Sequence, residues 1–146
     1  MRKLAEVEEA KALMNEALDW SVMRWLKDKK RVRKAADRAN EALDQLSEET
    51  KLQWPDELRS AYGALAQNAN PRKQPEDEIP NAVKQVKRAD DEAARAHLDA
   101  ENVFDEAEGQ LSTSMAREGC RKAIYSWELH EKAIRIAARL IPSKQS

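Results

Sequence analysis

The chain has 146 residues, 36% of them charged and 41% apolar, and a net charge of −1. That length suits one domain with a sizeable core, and the balanced charge excludes a protein that binds polyanions by bulk attraction. A single cysteine excludes an internal disulfide framework and a cysteine-rich zinc site, and no apolar run approaches the roughly 20 residues of a membrane span.

Ala, Glu, Lys, Leu and Arg dominate, with only three glycines and five prolines. With sustained helical periodicity, that composition points to long helices or coiled coil. The N-terminal Met1-Arg2-Lys3 is followed at once by Glu6, Glu8 and Glu9. It lacks the apolar run of a secretory leader, so a cytoplasmic protein is expected.

The first predicted helix runs from about Lys3 to Leu46. Its seam takes Leu4, Val7, Met14, Leu18, Val22, Trp25, Val32, Ala36, Ala39, Leu43 and Leu46, interrupted by Lys11 and Lys29. The steps alternate between three and four residues, which draws one apolar stripe down a helix. With no Pro or Gly inside it, one unbroken rod of roughly 65 Å is expected. Its N-terminal half also carries Leu13, Ala17 and Trp20 off the stripe. A helix apolar on two sides is buried on two sides, by another segment of the chain or by another subunit. Because the rod should overhang the shorter third and fourth helices by roughly 20 Å, these three residues are candidates for the interface of a symmetric homodimer.

On the far side of that helix Arg24, Lys27, Arg31, Lys34 and Arg38 repeat at the same spacing. Between Arg24 and Arg38 eight basic residues face two acids, Asp28 and Asp37. Like charges three and four residues apart destabilise a helix by a few tenths of a kcal/mol per pair, so something should offset them. One reading is internal: Glu101, Asp105 and Glu108, or the acids near Glu48 and Asp56, pack against the stripe. The other is an anionic partner, whether nucleic acid, acidic lipid headgroups or an acidic protein. Placement discriminates, because the cations are either exposed together or paired with carboxylates.

Trp54-Pro55-Asp56-Glu57 marks a second, short helix, with a proline at its start and acids in its first turn. It should carry Leu58, Ala61, Tyr62, Leu65 and Ala66 on one face, end near Asn68 and pack back on the end of the first helix. Residues 68–80 hold Pro71, Pro75 and Pro80 among mixed charges and read as an exposed connector.

The third helix has its seam at Ile79, Val83, Val86, Asp90, Ala93, His97, Ala100, Phe104, Ala107 and Leu111. The fourth, from about Ser114 to Ile141, has Ala116, Cys120, Ala123, Trp127, His130, Ile134, Ala137 and Ile141. Gly109 and Ser112-Thr113-Ser114 between them suggest a turn, with one continuous helix as the alternative. A turn centred on Gln110 sets Phe104 against Ala116 and Asp90 against His130. A turn centred between Thr113 and Ser114 sets His97 against His130. Both registers pair large residues with small ones.

His97, Glu101 and His130 are the only candidates for a metal in the bundle core. The Glu-x-x-His step of di-metal bundles is absent, since position 94 is Ala and position 127 is Trp. A core histidine satisfied by Asp90 or a backbone carbonyl is the simpler reading. Trp25, Trp54, Trp127 and Cys120 sit where cores are packed. No nucleophile–base pair, phosphate loop or zinc spacing appears, so neither a cofactor nor catalysis is implied.

The expectation is therefore a single all-α domain over residues 1–146, an elongated antiparallel bundle of three long helices and one short one. Its leading function is a non-enzymatic interaction or scaffolding module that self-associates through helix surfaces. The alternatives are an anion- or nucleic-acid-binding protein using the basic stripe and a metal-binding bundle.

Overall fold

A computed structural model describes residues 2–67 and 79–142 of the chain. Its elements are α1 (Arg2–Ala17), α2 (Val22–Leu52), α3 (Asp56–Gln67), α4 (Asn81–Gln110) and α5 (Thr113–Ala138). The fold is an all-α bundle, and no strand occurs among the described residues. The expected connector lies mostly outside those residues; its described end is Ile79, which is buried, and Pro80, which precedes α4.

The long first rod is two helices. At its end α1 tightens, with Leu18, Asp19 and Trp20 N–H groups bonding to carbonyls three residues back. Ser21 then takes an extended backbone, and its hydroxyl accepts from the Arg24 N–H at 3.2 Å. This is an N-cap that satisfies one of the orphan donors at the start of α2. Trp20, just before the cap, stacks edge-on against Trp25 with ring centroids 5.2 Å apart. An apolar pair straddling an N-cap in this way staples the entering chain to the helix. Arg117 of α5 donates to the Trp20 carbonyl at 3.2 Å and ties the turn to the bundle.

The break changes what α1 does. Instead of overhanging, α1 folds back on α2 and α5 and buries Val7, Ala10, Met14 and Ala17. Of the three residues expected to meet a second copy, Ala17 and Trp20 are therefore buried within one chain, and Leu13 packs partly buried against the same core. The overhang that motivated a dimer does not exist.

The α4–α5 connection is a turn, not a continuous helix. Leu111 adopts a left-handed conformation (φ 52°, ψ 42°), and the Ser112 N–H bonds to the Ala107 carbonyl across it, as in a Schellman stop. Ser112 then caps α5 by accepting from the Met115 N–H. A left-handed leucine costs about 1–2 kcal/mol that a glycine would not. The turn falls between the two expected centres, so neither expected register forms. Phe104 faces Gly119, where an added Cβ would sit 2.9 Å from the ring. The seams themselves hold: Val83, Val86, Ala93, Ala100, Phe104 and Ala107 of α4 are buried, as are Ala116, Cys120, Ala123, Trp127, Ile134 and Ala137 of α5.

α5 packs against α1, α2 and α4. α3 packs mainly on α4, and it meets the end of the first predicted rod, which is α2, through Tyr62 and Lys51. Trp54, ahead of it, is buried beside Val86 and Ala137 and donates to the Ala137 carbonyl at 2.7 Å.

Candidate functional site

The basic half of α2 begins at a helix N-terminus, where the backbone already presents partial positive charge. Its first turn contains no acid. The five stripe cations meet different fates. Arg24 is used locally: its guanidinium stacks over Trp20 at 4.7 Å and pairs with Asp28. Lys27, Arg31, Lys34 and Arg38 are exposed, and none has a carboxylate within 4 Å among the described residues. Arg31, Lys34 and Arg38 flank a groove that Glu6 and Glu9 of α1 also line, so part of the stripe's field is balanced across it without contact.

Among the described residues, none of the acids proposed to neutralise the stripe pairs with it: Asp56 is held by Arg59, and Glu48 borders the cleft at the far end of α2. Asp105 and Glu108 hold Arg33 at 3.1 and 3.3 Å, and that guanidinium also lies 5.5 Å from the Phe104 ring. Arg33 points toward α4, away from the stripe. Glu101 sits 2.5 Å from His97 on the surface of α4.

Beside the basic residues is an apolar patch that includes Val22 and Leu111, which periodicity places on buried seams. Val22, Met23 and Leu26 at the start of α2 are 49%, 77% and 47% exposed, and Leu111 in the α4–α5 turn is 64% exposed. Val22, Leu26 and Leu111 border one shallow groove. Both interhelical turns, 18–21 and 111–112, therefore lie at the same end of the bundle. Trp20 and Trp25, which interleave with the basic residues in sequence, are buried there.

At the other end of α2 a cleft of about 560 Å³ opens between α2 and α4, bordered by Trp127 and His130 of α5 and Tyr62 of α3. Lys51 reaches across it to Asp90 at 2.7 Å and also contacts Ser47 Oγ at 3.1 Å and Tyr62 Oη at 3.3 Å. Tyr62 donates to the same Asp90 oxygen. Burial and that hydrogen bond hold the phenol well above its usual range. All three ammonium hydrogens of Lys51 have acceptors, so the network reads as an interlock joining α2, α3 and α4. Sequence reasoning noted Asp90 as a polar break in a seam but assigned it to His130; its actual partners are distant in sequence and follow no period.

His130 is pushed below the usual imidazole value by burial, against the pull of Asp44 and Asp90. Asp44 is its nearest carboxylate, at 3.9 Å. His97, Glu101 and His130 do not form a metal centre: among the described residues no group of three His, Cys, Asp or Glu side chains is placed to hold an ion. Cys120 is buried, and burial raises its thiol to about 12, which makes it inert as a nucleophile. No helix among the described residues is long and apolar enough to cross a membrane.

Comparison with protein-family models, with curated proteins and with solved structures finds no significant match to this chain.

Proposed function

We propose that the protein is a non-enzymatic helical module that docks an acidic surface through the basic half of α2. One observation carries this reading. Lys27, Arg31, Lys34 and Arg38 stand exposed without an ion-pair partner among the described residues, in a helix half where their mutual repulsion and the helix dipole both oppose them. Of the nearby carboxylates, Asp28, Asp105 and Glu108 serve Arg24 and Arg33, while Glu6 and Glu9 face Arg31, Lys34 and Arg38 across a groove without forming an ion pair. The homodimer argued from sequence loses its support, because Ala17 and Trp20 are covered by the chain itself.

The test is a titration of the intact chain with heparin, a DNA duplex and single-stranded RNA across a salt series. Ion-pair docking predicts that log affinity falls linearly with log salt. Replacing Lys27, Arg31, Lys34 and Arg38 together by Gln should flatten that dependence. Absence of salt-dependent binding to any acidic probe, anionic vesicles included, would overturn the proposal.

A further inference from the structure

We infer that the acidic surface is an anionic lipid bilayer, entered by the apolar end of the bundle where the two turns meet. The inference rests on the docking reading and adds its partner.

Four of the chain's exposed large apolar side chains, Val22, Met23, Leu26 and Leu111, lie at this one end. Lys27, Lys30 and Arg31 follow within about 14 Å of Val22 along α2. Acids also lie at this end: Asp19 and Glu106 are exposed, and Glu108 borders the groove but is held by Arg33. The cations behind the tip on α2 are unpaired among the described residues. An apolar tip with such cations behind it is the arrangement of an interfacial membrane binder, its side chains in the acyl boundary and its cations among the headgroups. Ser21 caps the helix that carries the tip, so the backbone arrives there with a donor already satisfied.

Leu111 is the second observation. It occupies a left-handed position that favours glycine, and its side chain nevertheless projects into solvent. A glycine would close the same turn without that strain, so an exposed leucine kept there fits a role at the surface.

Shape decides against the other acidic partners. The groove between Val22, Leu26 and Leu111 is shallow, and the apolar side chains around it stand out as knobs that a fluid surface can take in without a matching shape. A nucleic acid would call for exposed aromatic rings to stack bases, but Trp20 and Trp25 are 5% and 7% exposed.

The test is co-sedimentation of the intact chain with vesicles of phosphatidylcholine alone or with 30% phosphatidylserine, beside heparin, duplex DNA and an acidic amphipathic peptide. Three proteins are compared: the natural chain, Leu111→Gly, and the triple variant Met23→Asn, Leu26→Asn, Leu111→Asn. Binding to the anionic vesicles and not to those of phosphatidylcholine alone is expected, weakened roughly 3- to 10-fold by Leu111→Gly and more than 10-fold by the triple variant. Heparin affinity should be unchanged in all three. Leu111→Gly separates docking from folding, because it should raise the melting temperature while it weakens vesicle binding. Heparin or DNA binding without vesicle binding overturns the lipid inference and leaves the docking reading standing. Vesicle binding indifferent to the apolar variants does the same, and so does preferential binding of the peptide. No binding to any acidic probe overturns both.

Discussion

The two halves of α2 treat charge in opposite ways. In the half that ends near Lys51, inward-facing polar groups are held by partners: Asn40 accepts from the Trp127 indole at 2.8 Å, Thr50 donates to the Leu46 carbonyl at 2.7 Å, and Lys51 joins Asp90 and Tyr62. In the half that begins at Val22, Lys27, Arg31, Lys34 and Arg38 face outward with no carboxylate partner among the described residues. The contrast shows which polar residues belong to the fold. A group taken out of water must be hydrogen-bonded or it costs more than it contributes; a group left in water is under no such demand.

The sharpest way to break the comparison is at the interlock. Lys51→Ala or Asp90→Ala should each lower the unfolding free energy by about 2–3 kcal/mol in chemical denaturation, because each leaves a largely buried charge without its partner. A loss below about 0.5 kcal/mol would mean that the network is only a surface ion pair.

The next effect concerns the α4–α5 hairpin. Gly119→Ala brings a methyl group to within 2.9 Å of the Phe104 ring. Overpacking of this kind costs about 1–3 kcal/mol, more than the gain of about 1 kcal/mol in helix propensity. Thermal unfolding should show a net loss. A gain would mean that Phe104 shifts freely and that the register is loosely held.

Much of this was legible in the sequence. The periods that predicted the seams of α4 and α5 describe their buried faces nearly residue for residue, and Trp54-Pro55-Asp56 marked the start of α3. One turn was missed and one was found but misplaced, both for physical reasons. The break at Ser21 contains neither Gly nor Pro, and its signal is the Trp20–Ser21–Trp25 arrangement, a cap with its staple, hidden within an uninterrupted apolar period. In the second turn Gly109 drew attention to itself, while the strained left-handed position belongs to Leu111. The stripe's cations were visible as a pattern. Which of them would find acids, and that Lys51, Tyr62 and Asp90 would meet, depended on tertiary placement that no local spacing encodes.

A smaller effect should appear with pH. Burial lowers the His130 pKa below its unfolded value of about 6.5, and Asp44, Asp90, Lys51 and His97 are the charged neighbours that modulate it. Below that unfolded value the unfolded chain binds the proton more readily than the native one. Stability should therefore fall as the pH drops through about 6.5 towards the folded pKa. His130→Gln should reduce that decline between pH 7.5 and 5. An unchanged slope would show that the imidazole is solvated in the native state.

The division of α2 itself is tested most directly by the unfolding free energy of the chain with Lys27, Arg31, Lys34 and Arg38 all replaced by Gln. If these cations serve a partner and not the fold, stability should stay level or rise by up to about 1 kcal/mol, as repulsion along the helix is relieved. A loss of more than about 1 kcal/mol would mean that the stripe is held by the protein after all, and the docking proposal would fall with it.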